Sequence, residues 1–387
     1  MFSLSNIFLI KNKVDIHAFI CALCVFLCIP PAIMWHNQYA SLLCIVIFAF
    51  IGLGGYRTFN RNNVIILIVF LLLYLYFCLN QQYNLFRYAV FVLSCSIFLF
   101  NNNFSYKIFE FFFRIYSISM IPSILIFILV LSGFGHLLPS TILEPIEISK
   151  EHDYIHYPFL VMPDFLKSID YFRFMAFYDE PGVVGTISGI LLLCRKLQFK
   201  DWLTYPVLIS GILSMSLTFY IMLALNTLIV SDLKTKILVL TILITIVFLS
   251  YNYIEEYLNL YIFDRLNFND GKMEGDNRTS ASFDMFYHNF IRNDSHLFFG
   301  YGNNYAKIVN PGGASYKDII VDNGIFFFIA YILSCMALAS TKLKKKSLMI
   351  YIITFACVFY QRPFIHTFVY FILLVLPIFG IKYNHDN

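Results

Sequence analysis

Apolar residues run through this chain in long uninterrupted blocks, and blocks of that length restrict it to a membrane-embedded helical fold. Val64–Cys78, Ile237–Leu249 and Phe364–Ile378 contain no Asp, Glu, Lys or Arg. A helix needs about 20 predominantly apolar residues, with roughly 17 as the low end, to cross a bilayer. Charged residues are 13% of the 387-residue chain and hydrophobic residues 59%, whereas a soluble domain carries about 25% charged residues. So few charges cannot cover the surface of a water-soluble globule this large. The expected fold class is all-α, a polytopic bundle of about 12 transmembrane spans with two long outer loops. The spans are expected at 15–34, 39–55, 63–79, 84–100, 108–133, 181–197, 203–215, 217–231, 237–251, 319–340, 348–360 and 364–381. Tyr74, Tyr171 and Tyr251 stand at block ends, as an interfacial aromatic belt requires.

Lys and Arg in short loops set the orientation. Lys342, Lys344, Lys345 and Lys346 are the strongest cytoplasmic anchor. Working outward from it, Arg57/Arg61, Lys107, Arg195/Lys196/Lys200 and Lys234/Lys236 also fall inside, as do both termini, with Lys11/Lys13 and Lys382. The first apolar block follows Lys11 and Lys13 and reads as a retained helix. Residues 203–230 form one apolar run. A single helix there separates Lys196/Lys200 from Lys234/Lys236, whereas a hairpin turning near Ser214–Thr218 keeps them together. The hairpin is expected, with Ser214, Ser216 and Thr218 satisfying backbone groups freed at the turn.

This topology divides the chain into N-terminal transmembrane helices (1–133), a first periplasmic loop (134–180), central helices (181–251), a second periplasmic loop (252–318) and C-terminal helices (319–387). The second loop carries nine acidic residues against six basic ones, which suits the outer face. A net charge of +4 is too mild to imply nucleic acid. All nine cysteines fall within apolar blocks, so there is no disulfide framework to read. Cys21 and Cys24 have CxxC spacing, but inside an apolar helix this reads as packing rather than a metal or redox site. No metal-ligand cluster appears, and no cofactor is expected.

Candidate chemistry gathers in the outer loops. Arg173-Phe-Met-Ala-Phe-Tyr-Asp-Glu-Pro-Gly-Val-Val-Gly185 closes the first. Pro181 suits a first helical turn, and Glu180 is favoured at the positive end of the helix dipole. On this reading Asp179 and Glu180 cap the helix, and Gly185 and Gly189 allow close packing. Arg173 suits a pyrophosphate, and equally a lipid phosphate at the membrane surface. In the second loop, Phe283, Phe286 and Phe290 are expected to share one face of a helix beginning after Arg278. Arg278, His288 and Arg292 lie on or beside that helix, with geometry suited to phosphate oxygens. Gly300-Tyr-Gly302 reads as a turn. Arg362, in Gln361-Arg362-Pro363, is an outer-surface cation that suits either a substrate phosphate or the membrane interface.

These pieces occur in a familiar order. Arg173-Phe, Phe177 and Glu180-Pro-Gly through Gly185 resemble the R-F-x-G-x-F-x-E-P-G-x-x-G signature of bacterial O-antigen and capsule repeat-unit polymerases (Wzy-type). Ala176 stands where that signature has Gly, and Asp179 precedes the Glu. Ser214/Ser216 resemble the Ser-rich segment that follows, and Arg278 with Leu297-Phe-Phe-Gly300-Tyr-Gly302 resembles the family's large-loop element. Asp322-Asn-Gly324-Ile325 looks like the start of the next helix.

The resemblance implies a glycosyltransferase of the bacterial inner membrane. It transfers a growing glycan from undecaprenyl pyrophosphate to a lipid-linked repeat unit at the periplasmic face. The partners implied are that lipid-linked oligosaccharide, membrane lipid and a chain-length regulator protein. On this reading Arg173 and Arg278, with Arg292 and Arg362, bind pyrophosphate. Glu180 is the first choice of base and His288 the second. Related O-antigen ligases carry a His-Asn pair before the helix that follows the large loop, where this chain has Pro311-Gly-Gly-Ala-Ser-Tyr316. A non-enzymatic flippase or transporter is expected to place charges at mid-membrane depth, and the central spans here lack them.

Overall fold

The computed structural model describes residues 10–361 and 367–386, apart from 11, 30, 33–34, 36, 84, 145–152, 165–172, most of 231–278 and 310–314. Helix dominates, in chain order α1 (Lys13–Cys28), α2 (Gln38–Gly55), α3 (Arg61–Asn80), α4 (Leu85–Ser94), α5 (Asn102–Leu131), α6 (Pro181–Arg195), α7 (Thr204–Leu213), α8 (Leu217–Leu225), α9 (Ala281–Asn293), α10 (Tyr305–Val309), α11 (Tyr316–Ser340), α12 (Lys345–Gln361) and α13 (Phe368–His385).

Asparagines punctuate the apolar text. The side chains of Asn12, Asn37 and Asn60 accept backbone N–H groups at 3.1, 3.1 and 2.9 Å to start α1, α2 and α3. Asn101 does the same for Phe104 N at 2.7 Å at the head of α5. Each satisfies an N–H that an apolar environment would otherwise leave orphaned.

Two features depart from the expected all-α bundle. Thr141–Leu143 (β1), Tyr154–Tyr157 (β2) and Leu160–Pro163 (β3) form an antiparallel sheet between α5 and α6, and Phe268–Asn269 (β4) pairs with Lys272–Met273 (β5). The strands are too short for their alternation to stand out beside the apolar blocks. Among the described residues, four helices (α3, α5, α11 and α13) are long and apolar enough to cross a membrane, against the 12 spans expected. Several blocks fold instead as shorter apolar helices, extended or broken by a 3-10 turn (Cys95–Leu99), a π turn (Asn226–Val230) or the bend between α7 and α8. The expected span 237–251 lies outside the described residues except at Ile237 and Thr241.

The chain divides into two compact units. One comprises Met1–Ile29, Asn37–Phe112 and Asn277–Asn387, the other Pro30–His36 and Phe113–Asp276. The core of the first is aromatic. Phe70 packs against Phe98, Tyr331 and Phe371 at centroid distances of 4.9, 5.5 and 5.7 Å. Tyr74 stacks on Phe91 at 4.5 Å and is fully buried, so it belongs to this core and not to an interfacial belt. Tyr171 and Tyr251 lie outside the described residues.

Polar contacts define one end of this unit. Lys107 pairs with Asp15 at 2.5 Å, Lys342 donates to Asn102 at 3.1 Å, and Lys344 donates to the Asp386 carbonyl at 2.6 Å. Tyr56, next to Arg57, stacks on Phe104 at 3.9 Å. Basic loops far apart in sequence therefore share one end, the grouping that the charge pattern anticipates. The 20 residues of α3 rise about 30 Å from that end, matching a bilayer's hydrocarbon thickness.

Candidate functional site

The second unit is built around a helical hairpin set against α6. Arg195 at the foot of α6 pairs with Asp201 at 2.9 Å, Ser188 meets Ser210 of α7 at 3.1 Å, and Asn226, just past α8, donates to Leu192 O at 2.9 Å. So α7 runs antiparallel to α6 and α8 runs parallel to it, with the apex at Ser214-Met215-Ser216. The expected hairpin is present. Its first limb has 10 residues and rises only about 15 Å, half the thickness of a bilayer core.

The apex lies against Gly185. A Cβ built there would sit 2.2 Å from Ser216 Cβ and 2.8 Å from Ser214 Oγ. At Gly189 the obstacle is Met222 Sδ, at 2.6 Å. The Gly-x-x-x-Gly spacing thus admits the hairpin's approach.

Arg173 closes the apex. Phe174 N donates to Leu213 O at 3.0 Å, Arg173 Nε to Ser214 O at 3.2 Å and Arg173 Nη2 to Met215 O at 3.0 Å. Carbonyls at the end of α7 have no partner within the helix. The expectation assigned such groups to serine hydroxyls, and Ser214 Oγ does donate to one of them, Gly211 O, at 2.7 Å, while the carbonyls of Leu213, Ser214 and Met215 are taken by Phe174 N and Arg173. Tyr220 donates to Ile212 O at 2.9 Å, closing the other side of the bend.

Residues 174–180 are held along their length. Val161 N donates to Ala176 O at 2.6 Å and Ala32 N to Phe177 O at 2.8 Å. Tyr154 packs edge-on against Trp35 at 5.1 Å and donates to Asp179 O at 3.3 Å. Ala176 has φ +51°, a left-handed conformation that glycine adopts without strain. Glu180 has the extended backbone of an N-cap residue, but its side chain makes no capping hydrogen bond. Capping by the carboxylate is therefore not its role. Pro181 opens α6 instead, and the half-exposed carboxylate stands at the positive end of the helix dipole.

The remaining described candidates belong to the first unit, at the end opposite the lysines. The Ser280 hydroxyl accepts Phe283 N at 3.2 Å to start α9. Phe283 and Phe290 are buried in a cluster with Ala306, Ile320 and Val321, and Phe286 packs against it, as the periodicity predicts. His288 and Arg292 are exposed and share the opposite face one turn apart. Lys317 pairs with Asp284 at 2.8 Å and anchors α9 to the start of α11. Arg278 and Arg362 lie outside the described residues.

Gly300 and Gly302 form the expected turn, with φ +77° and +72°. Tyr301 N and Gly302 N donate to Val321 O and Asp322 O at 2.8 and 2.9 Å, and Asn303 N to Asn80 O at 3.0 Å. The long helix opens earlier than Asp322, and a second helical segment starts just past Gly324, within Asp322-Asn-Gly324-Ile325. Ser315 and Asp318 make a reciprocal capping box ahead of Tyr316, and Gly324, at φ +80°, interrupts α11 from within. A Cβ there would lie 2.2 Å from Phe298 O, so the break is where the loop backbone crosses the helix.

The structure adds a constellation that periodicity did not single out. Asp294 Oδ1 accepts His296 N at 2.8 Å and pairs with His296 Nδ1 at 2.9 Å, while the Tyr301 hydroxyl donates to Asp294 Oδ2. The His296 ring stacks on Tyr301 at 4.3 Å, and Tyr301 on Tyr305 at 4.4 Å. Partial burial pulls the Asp294 carboxyl upward, but the bonds from Tyr301 and His296 outweigh it and hold the group below its ordinary value. The same bond pushes the Tyr301 phenol up to about 12. An Asp-x-His spacing in an outer loop is the only sequence trace of this arrangement. Among the described residues no three His, Cys, Asp or Glu side chains converge as a metal site. No protein-family model, curated protein or solved structure matches this chain.

Proposed function

We propose that this chain is a membrane glycosyltransferase that polymerises lipid-linked repeat units of a bacterial surface polysaccharide. The observation that carries the reading is the Arg173 clasp. The signature residues from Arg173 to Gly185 form one continuous structure, in which the guanidinium is fixed on the carbonyls of a helical hairpin set against Gly185. Transfer from undecaprenyl pyrophosphate builds negative charge on the leaving group. A cation already fixed in place stabilises that charge without reorganising.

In this reading Arg173 contacts the pyrophosphate, and Arg278, Arg292 and Arg362 are further cationic candidates for that role. Glu180 and His288 are the sequence's first and second candidates for the group that takes the acceptor proton. The reaction uses no metal. The lysine-rich end of the first unit faces the cytoplasm with both termini, and the outer loops face the periplasm.

Arg173→Ala, Glu180→Ala and Arg278→Ala in a deletion background are each expected to insert normally yet leave glycans of a single repeat unit. Long glycan from all three overturns the assignment. Loss of all glycan on the lipid core in the deletion strain indicates a ligase, and repeat units trapped on the cytoplasmic leaflet indicate a flippase.

A further inference from the structure

Among the described outer-loop side chains, His296 is both held in orientation and open to solvent. Its side chain is 53% exposed. Asp294 fixes one edge of the ring through Nδ1, Tyr301 covers one face, and the backbone at His296 O accepts Gly300 N at 2.6 Å. A carboxylate only accepts hydrogen bonds, so the bond to Asp294 assigns the proton to Nδ1 and leaves the lone pair on Nε2. Asp294 itself cannot swing away, because one oxygen holds His296 and the other accepts from Tyr301. A capping role for Asp294 accounts for the bond from His296 N, but not for the bonds to the imidazole and the phenol.

We infer that Asp294 and His296 form a base dyad whose Nε2 atom takes the proton from the acceptor sugar's hydroxyl. This rests on the transfer reading given above and replaces Glu180 and His288 as base. As the hydroxyl proton passes to Nε2, the oxygen's electron pair forms the new bond to the anomeric carbon of the donor glycan. The bond from that carbon to the lipid pyrophosphate breaks, and its electron pair leaves on the pyrophosphate. The imidazolium then returns its proton to solvent. Among the described residues, the charged and titratable groups facing the ring are Asp294 and Tyr301, with Tyr305 stacked behind.

The test uses the full-length protein in membranes, with lipid-linked repeat unit extracted from the polymerase-deletion strain as the probe. His296→Gln is expected to lower kcat by about 100-fold with little change in KM, the scale of a lost general base. Asp294→Asn keeps a side-chain acceptor for His296 N but removes the charge. It is expected to lower kcat by about 10-fold and to shift the acid limb of the pH–rate profile. Polymer made at the unaltered rate and pH profile by His296→Gln overturns the dyad alone. A slow Asp294→Asn whose pH profile and KM match the unaltered protein reduces Asp294 to a structural cap and also overturns it. Absence of polymer with the unaltered protein overturns the transfer reading, and the dyad with it.

Discussion

At the scale of single residues, the hairpin apex of the second unit turns on backbone carbonyls and who satisfies them. Arg173 donates twice to the bend after α7. A hydrogen bond to a charged group contributes about 1.5–3 kcal/mol. Arg173→Ala should therefore lower the unfolding free energy by about that much and abolish polymer, whereas Arg173→Lys should recover stability in part without full polymer length. Thermal unfolding beside glycan gels separates the two effects. Ala176 offers a second test, because its left-handed backbone costs an L-residue about 1–2 kcal/mol. Ala176→Gly should leave the melting temperature close to that of the parent. Ala176→Val, β-branched in a fully buried left-handed position, should destabilise by about 2 kcal/mol or more. Arg173, Glu180, His288 and Arg292 were legible as candidates because charge is rare in so apolar a chain. What Arg173 binds was not legible. Its partners are carbonyls, which every residue carries, so nothing in the sequence marks which ones a distant guanidinium reaches.

At the scale of elements, glycine decides where helices meet. A methyl group at Gly185 collides with the hairpin apex, whereas Gly54 and Gly55 in α2 have nothing within 4 Å of a built Cβ. Gly185→Ala should thus cost about 1–3 kcal/mol from overpacking and shorten or abolish glycan, while Gly54→Ala should be neutral or stabilise by about 0.5–1 kcal/mol. Melting curves of the two variants side by side check the contrast. The hairpin, the α9 face and the Gly300–Gly302 turn followed from basic-loop counting, period and composition. The sheet did not, since its three-residue and four-residue strands carry too short a pattern. The break within α11 did not either, because Gly324 could equally mark a helix start, and only the crossing backbone of Phe298 explains the interruption.

At the scale of the whole molecule, the charge pattern makes a topological statement that labelling can check. Cysteine-specific labels, in a background lacking the native thiols, should reach position 159 from the periplasm and positions 235 and 345 only from the cytoplasm. A periplasmic signal at 235 removes the hairpin from the topology, and a cytoplasmic signal at 159 inverts the whole assignment. The predominance of long apolar helices, four of them able to cross a membrane among the described residues, was plain from the blocks of apolar residues. The grouping of elements into two units was not, since hydropathy reports burial from water and is blind to which helices are neighbours.

That grouping has a consequence for how the protein is made. The first unit draws on the beginning and end of the chain, and residues 113–276 of the second lie between its two parts. Translation proceeds at about 5–20 residues per second, so the intervening stretch takes on the order of ten seconds or more to emerge. During that time Phe70 and Tyr74 have already emerged, but Tyr331 and Phe371, the rings they finally pack against, have not been synthesised. The early helices must wait with an aromatic face unfilled, open to capture by chaperones or a neighbouring chain until the last helix arrives.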